Sequence, residues 1–202
     1  MRAYDPIKRV VDVLVGGLVL VASLPVQALL ALVVRRKLGS PVLFRQQRPG
    51  KDGEVFELVK FRTMVEVDES RGLVTDAQRL TPFGAFLRST SLDELPTLWN
   101  VVKGEMSLVG PRPLLVRYLD RYTPEQARRH EVRPGVTGLA QVSGRNAITW
   151  DEKFAKDVEY VDRRSLRLDA SIVWRTVAQV VRRDGIAADG EATMGEFEGV
   201  QA

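Results

Sequence analysis

From Val10 to Val34 the chain is almost entirely apolar, interrupted by Asp12, Ser23, Pro25 and Gln27. As a helix that stretch is long enough to cross a hydrocarbon core of about 30 Å. The pattern then changes period. Val42-Leu43-Phe44 and the alternating run Val55-Phe56-Glu57-Leu58-Val59 flank the turn-forming Arg48-Pro49-Gly50-Lys51-Asp52-Gly53, which predicts a β-hairpin. Residues 65–80 are polar and poorly periodic and predict a loop of the kind that orders on binding. Leu92, Leu95, Leu98, Trp99 and Val102 return to helical spacing, with Gly104 as the stop. Two further helices are predicted near 114–121 and 124–131, and a short strand at 138–142. Phe154, Val158 and Val161 mark one face of a later helix. In the last helix Ile172, Val173, Thr176, Val177, Val180 and Val181 form the apolar face, opposite Arg175, Arg182 and Arg183. That face suits a membrane interface or packing on a domain equally. From Asp184 onward glycine and acidic residues predict a mobile tail.

These elements give a mostly α member of the α/β class, with no internal repeat. Residues 1–37 form a membrane segment, 38–184 a globular catalytic domain with a small β-hairpin and amphipathic interfacial helices, and 185–202 a flexible acidic, glycine-rich tail. A length of 202 residues suits one domain with a real core. With 45% hydrophobic and 28% charged residues, wholesale disorder is excluded.

The flanks of the apolar run decide what it is. Arg35-Arg36-Lys37 stands where a signal peptide would need a small-residue cleavage site. Lys8-Arg9 on the other side removes any inside–outside asymmetry, so both ends read as cytoplasmic. Pro25 removes a helical hydrogen bond mid-run, and Ser23 and Gln27 can satisfy the groups it frees. A helix that breaks at Ser23-Leu24-Pro25 and returns would place both basic clusters at one interface, against anionic lipids. The residues alone leave this re-entrant hairpin and a kinked spanning helix both open.

Thirty Lys plus Arg against 26 Asp plus Glu give a net charge of +4, which fits an anionic partner without specifying one. The absence of cysteine excludes disulfides, thiolate metal sites and cysteine nucleophiles. The single histidine, His130, lies in Arg128-Arg129-His130-Glu131 and reads as a surface residue without a chemical role. Chemistry must therefore rest on carboxylates, Arg, Lys and hydroxyls.

In Arg88-Ser89-Thr90-Ser91-Leu92-Asp93-Glu94-Leu95-Pro96 two adjacent carboxylates stand where a helix begins, because Pro96 is tolerated only in a first turn. Capping by Asp93 and dipole complementation by Glu94 would account for both without chemistry. The cationic surroundings tip the balance: Arg88 precedes the pair, and Gly110-Pro111-Arg112-Pro113 follows it. Guanidinium forks and a helix N-terminus suit phosphate oxygens. A carboxylate attacking a diphosphate meets repulsion of about 1 kcal/mol per charge pair at 4 Å in water, and about 4 at an effective dielectric of 20. Arginines or Mg²⁺ must offset it. The two carboxylates, about 100° apart on a helix, would divide nucleophilic attack from metal binding or proton transfer.

Lys60-Phe61-Arg62-Thr63-Met64, Thr81-Pro82-Phe83-Gly84 leading into Arg88, and Leu92-Asp93-Glu94-Leu95-Pro96 resemble the bacterial sugar transferase family, the monotopic phosphoglycosyl transferases. So do the runs from Asn100 to Pro113 and from Arg133 to Asn146, in the same order, so that the resemblance covers roughly residues 4–183. It implies a re-entrant N-terminal helix broken at Ser23 and Pro25, on the cytoplasmic face of the bacterial inner membrane. It implies that Asp93 of the Asp93–Glu94 dyad forms a covalent phospho-sugar intermediate as UMP leaves a UDP-sugar, and that undecaprenyl phosphate then attacks that intermediate. Mg²⁺ is the implied cofactor, held by Asp93, Glu94 or both. Arg88 and Arg112 match arginines near the substrate phosphates. Lys60, Arg62 and Arg145 lie in matching motifs and are assigned to substrate binding, each with a structural salt bridge or a lipid contact as the alternative; Asp157, in a matching helix, is assigned likewise, with an exposed helical charge as its alternative. With little before the membrane segment, the chain looks like the minimal catalytic form.

A glycosyltransferase moving the sugar without its phosphate would call for an Asp-x-Asp metal site, which the sequence lacks. A non-catalytic scaffold binding anionic lipids explains the charge, but not a carboxylate pair between two arginines. Membrane lipids are expected partners and nucleic acid is not. The sugar, the pathway (capsule, O-antigen or exopolysaccharide) and the oligomeric state, a homodimer included, stay open.

Overall fold

The computed structural model describes residues 4–144, 148–182 and 195–199. It is mostly helical with two small sheets. Helix α1 (Tyr4–Leu38) carries Asp5 in its first turn and Arg35, Arg36 and Lys37 in its last, complementing the helix dipole at both ends. It runs as one helical element through Pro25, so the expected separation into two helices at Ser23-Leu24-Pro25 does not appear as a gap. Ser23 Oγ donates to the Leu20 carbonyl at 3.0 Å and the Gln27 amide donates to Ser23 Oγ at 2.9 Å. These bonds supply local partners beside the proline. Burial along α1 is confined to its two ends: Asp12 and Gly16 on one side, Leu30, Val34 and Leu38 on the other. Asp12 accepts from the Leu108 amide, and Lys8 pairs with Asp169. Leu30, Val34 and Leu38 pack with Phe61 and Leu87.

Strands β1 (Leu43–Pro49) and β2 (Val55–Phe61) form the expected hairpin, antiparallel with Phe44 opposite Lys60. Arg48 and Pro49, expected in the turn, belong to β1; the reversal is confined to Lys51–Gly53, where Asp52 takes φ 56°. Residues 65–80 are more ordered than a loop. They hold a 3-10 turn (Glu69–Arg71) and helix α2 (Asp76–Arg79), started by a Thr75–Gln78 capping box. Helix α3 (Pro82–Ser89) starts at Thr81, whose hydroxyl accepts from the Gly84 amide at 3.0 Å. A 3-10 helix (Leu92–Thr97) then leads into α4 (Leu98–Lys103), which stops at Gly104 with φ 93°, as its position predicts.

Strand β3 (Ser107–Val109) pairs in parallel with β4 (Gly135–Thr137), Ser107 opposite Gly135. The strand expected at 138–142 thus lies earlier, and α6 (Leu139–Val142) occupies most of that range. Four residues of apolar pattern are too short for periodicity to separate helix from strand. The pairing needs glycine: a Cβ on Gly135 would stand 2.1 Å from the Gly110 amide nitrogen and 2.3 Å from the Thr137 carbonyl. Backbone atoms cannot yield as a flexible side chain can. Gly135→Ala is expected to destabilise the protein by about 3 kcal/mol or more, the upper end of overpacking, as read by thermal melting. An unchanged melting point would mean that β3 and β4 separate at little cost.

The helices expected at 114–121 and 124–131 are mostly 3-10, at Val116–Arg121 and Arg128–Glu131, with α5 (Pro124–Ala127) between them. Helix α7 (Trp150–Arg163) buries Phe154, Val158 and Val161, the face its spacing predicts. Helix α8 (Leu166–Arg182) departs from its predicted faces. Ile172 is buried, but Val173, Val177 and Val181 face outward beside Trp174, which is 74% exposed. Polar bonds hold α8 to the domain instead: Thr176 to Thr137 at 2.7 Å, and Arg175 and Gln179 to the Val142 carbonyl. Of the C-terminal stretch expected to be mobile, residues 195–199 pack on the domain, with Phe197 buried against Tyr118 and Phe154.

Candidate active site

The 3-10 helix changes how the acidic pair is presented. Asp93 does not cap an α-helix: Ser91 before it takes a left-handed φ of 55°, and its side chain makes no cap hydrogen bond. With three residues per turn, adjacent side chains diverge by about 120° rather than 100°. Asp93 turns inward and is 4% exposed, whereas Glu94 is half-buried. Glu94 Oε1 accepts from Arg112 Nη2 at 2.7 Å.

Asp93, Glu94, Lys60, Arg88, Arg112, Arg62 and Asp157 all line one cavity of about 2030 Å³. Arg145 lies outside the described residues. Lys60 comes from β2 and stands 5.4 Å from the centre of the Phe44 ring across the hairpin. Arg88, in the last turn of α3, donates from Nε to Thr63 Oγ1 at 3.1 Å. Burial and the neighbouring Glu94 push the Asp93 carboxyl up to about 6, against the opposing pull of Lys60, Arg112 and Arg88. Burial pulls Lys60 and Arg88 below their ordinary ranges, with the charge of Asp93 working the other way. The charge of Glu94 and its hydrogen bond, with Asp93 behind it, raise Arg112 above its ordinary range. The cavity therefore holds an acid that ionises near neutral pH, faced by three cations.

Two assigned residues have partners that differ from those expected. Arg62 is buried and donates to the carbonyls of Leu38 and Ser40 and to Glu66, so it ties the end of α1 to the hairpin. Asp157 is no exposed helical charge: its Oδ2 accepts from Arg129 Nε at 3.0 Å and from Nη2 at 2.8 Å, both side chains being buried. Arg129 Nη2 also donates to the backbone carbonyl of Arg112 at 2.6 Å. Asp157 is thus linked to the Arg112 backbone through Arg129. Arg129 sits in a charged run, where spacing distinguishes no inward face. Arg48 was read only as part of a turn, yet it lines the cavity with a buried Nε that has no hydrogen-bond partner. Burial and the nearby Arg112 lower its pKa to about 10. His130 is half-buried rather than superficial, its Nδ1 2.9 Å from the Gly50 carbonyl and its ring beside Tyr122. Burial lowers its pKa.

Comparison with known proteins places this arrangement. The model of the family described as bacterial sugar transferase matches residues 3–183. An uncharacterized sugar transferase, EpsL, of Bacillus subtilis is 49% identical over 194 residues, 96% of each chain. A UDP-glucose:undecaprenyl-phosphate glucose-1-phosphate transferase of Caulobacter vibrioides is 41% identical over 90% of this chain and 72% of its own length. An undecaprenyl-phosphate galactose phosphotransferase of Salmonella typhimurium is 38% identical over 91% of this chain, which spans only 42% of that relative. A UDP-galactose-lipid carrier transferase of Erwinia amylovora is likewise spanned over 41% of its length, at 41% identity. By family model and by near full-length similarity, the chain belongs to the bacterial sugar transferase family of enzymes.

Proposed function

We propose that the chain transfers a sugar-1-phosphate from a UDP-sugar to undecaprenyl phosphate, at the cytoplasmic face of the bacterial inner membrane. The observation that carries this reading is the buried Asp93, paired with Glu94 and faced by Lys60, Arg88 and Arg112 in one cavity. In the first step an Asp93 carboxylate oxygen attacks the phosphorus that bears the sugar. The bond from that phosphorus to the bridging oxygen breaks, and UMP leaves with the electron pair. An oxygen of undecaprenyl phosphate then attacks the same phosphorus and expels the Asp93 carboxylate, giving the lipid diphosphate sugar. Two in-line displacements replace one difficult step. Lys60, Arg88 and Arg112 offset the repulsion between an anionic nucleophile and an anionic donor, beside a carboxylate that is itself buried.

The acidic pair also fits Mg²⁺. Among the described residues no group of three or more His, Cys, Asp or Glu side chains could hold a metal. Mg²⁺ commonly takes one or two carboxylates and completes its shell with water and substrate phosphates. Asp93 and Glu94 would hold it, and when bound it neutralises charge on the donor diphosphate.

The apolar length of α1, with only 11% of its most apolar window buried, supports membrane attachment through this helix. A re-entrant course is supported by the burial of both ends of α1 on the same domain, while none of residues 17–29 is buried. A helix that crossed the bilayer would carry one end away from the domain. The outward Trp174, Val177 and Val181 of α8 would then lie at the lipid interface, with Arg182 at the same end. A lipid-binding scaffold has no use for a buried acid whose ionisation is opposed by its surroundings.

The test is UMP release from a panel of UDP-sugars by the protein in lipid nanodiscs with Mg²⁺, with and without undecaprenyl phosphate. Acceptor-dependent release of UMP from one or two sugars is expected. Release of UDP would show that the sugar moves without its phosphate and would overturn the covalent scheme.

A further inference from the structure

Strand β1 alternates Phe44, Gln46 and Arg48 onto one face, and Lys60 of β2 stands opposite Phe44 on that same face. All four line the cavity that holds Asp93. The hairpin therefore presents two cations to the cavity: Lys60, on which the charge of Asp93 acts, and Arg48, four residues along the strand from Phe44.

Arg48 differs from Lys60, Arg88 and Arg112 in having no anionic partner among the described residues. Its Nη1 donates to the Pro113 carbonyl at 3.3 Å and its Nη2 to Gln46 Oε1 at 2.6 Å, while its Nε has no partner. Both acceptors are neutral, so they satisfy hydrogen bonds without compensating the charge. Each Nη carries a second hydrogen that these bonds do not use. Asp93 and Glu94 both act on Lys60 and on Arg112, whereas the cation acting on Arg48 is Arg112, which repels it. Tyr118 and Tyr122 beside it carry no charge at neutral pH. A half-buried guanidinium next to a second one is costly to hold unpaired, and an anion from outside the chain would offset that cost.

The donor supplies such an anion at a matching place. Arg112 holds Glu94 beside Asp93, and the next residue, Pro113, touches Arg48, so Arg48 is reached from Asp93 by passing Arg112. The phosphoryl group attacked by Asp93 is joined through one bridging oxygen to the phosphoryl group of UMP. When that bond breaks, the bridging oxygen keeps the electron pair and the departing group gains a negative charge. A donor aimed at this group acts more strongly in the transition state than before it.

We propose that Arg48 receives the leaving phosphate, its unused Nη hydrogens meeting the phosphoryl oxygens that depart with UMP while Arg112 stays with the phosphoryl group attacked by Asp93. This rests on the reading of the donor as a UDP-sugar. Undecaprenyl phosphate also presents a phosphate monoester, so the two half-reactions are measured apart.

The experiment uses the full-length protein in nanodiscs with Mg²⁺ and measures first-turnover UMP release without acceptor, the acceptor KM, and binding of UMP and of uridine. Arg48→Gln is expected to slow first-turnover release by about 10²-fold, the cost of losing one donor to a developing charge. UMP binding should weaken by about tenfold and uridine binding by less than about twofold, because only UMP carries the phosphate. The acceptor KM should not move. Arg48→Lys keeps the charge and loses the planar fork, so it should recover part of the rate and leave a UMP-to-uridine preference about threefold below that of the native protein. That ratio decides the matter if Arg48→Gln does not fold. Equal weakening of UMP and uridine would mean that Arg48 only braces the loop at Pro113, and unchanged UMP binding would overturn the proposal as directly. A raised acceptor KM with first-turnover release intact would give Arg48 to the acceptor phosphate instead. Failure of the unaltered protein to bind UMP would overturn the donor reading itself, a separate outcome.

Discussion

Asp93→Asn is expected to reduce UMP release by at least about 10³-fold, because an amide cannot form the acyl phosphate on which both of the proposed displacements depend. The same substitution is expected to stabilise the protein. Asp93 ionises near pH 6 in the fold, against an ordinary value of 3.8, so the buried carboxylate is held at a cost that Asn does not incur. The raised value fixes the sign: the contribution of Asp93 to stability is fully present below about pH 3.8 and is lost as pH rises through about 6. A shift of this size corresponds to about 2–3 kcal/mol. Melting curves should therefore show Asp93→Asn more stable than the native protein at pH 8 and nearly equal to it at pH 4. A pH-independent or lowered melting point in the variant would mean that Asp93 is not held against its charge.

The same ionisation governs the rate. Turnover of the native protein should fall as pH drops through about 6, when the nucleophile acquires its proton. Glu94→Gln removes the like charge that helps to raise Asp93, so the acid limb of the profile should move to lower pH even as the overall rate declines. An acid limb that stays in place would assign it to another group. The pair works through opposed surroundings: burial holds Asp93 protonated to higher pH, while the three cations keep it ionised at neutrality.

What the sequence discloses about this site follows from the range of its interactions. The hairpin, the face of α7 and the Gly104 stop depend on local spacing and turn chemistry, and they appear where the pattern puts them. The apolar length of α1 is equally local. Its course through Pro25 is not: Ser23 bonds the Leu20 carbonyl and Gln27 bonds Ser23 beside the proline, contacts that residue type suggests but spacing does not fix. Asp93, Glu94, Arg88 and Arg112 were identified by residue type and neighbourhood, and one cavity gathers them together with Lys60. The apolar face of α8 is split: Ile172 packs inward while Thr176, Arg175 and Gln179 bond to the domain, which leaves Val173, Val177 and Val181 outside, a division that periodicity leaves open. Arg129 and Arg48 escaped notice for a related reason. A guanidinium in a charged run or a turn declares its inward orientation only through its surroundings, here Asp157 for Arg129 and the cavity itself for Arg48.

Asp157→Ala should be among the most disruptive substitutions in the domain, because it strands the buried guanidinium of Arg129. Removing one member of a buried pair costs about 3–5 kcal/mol, and a fall in melting point of about 10 °C is expected for a domain of this size. Activity should fall further than stability requires. Arg129 also donates to the Arg112 carbonyl, so its displacement loosens the loop that carries Arg112, the residue proposed to meet the donor phosphates. A misplacement of about 1 Å near the chemistry can cost about 10²-fold in rate. The double variant Arg129→Met with Asp157→Leu separates the two effects. Two apolar side chains of similar volume remove the stranded charge and should recover most of the melting point. They offer no donor to the Arg112 carbonyl, so turnover should stay depressed, with the loss expressed in kcat/KM for the donor. Recovery of rate together with stability would mean that Arg129 and Asp157 only hold the fold, and that Arg112 keeps its position without them.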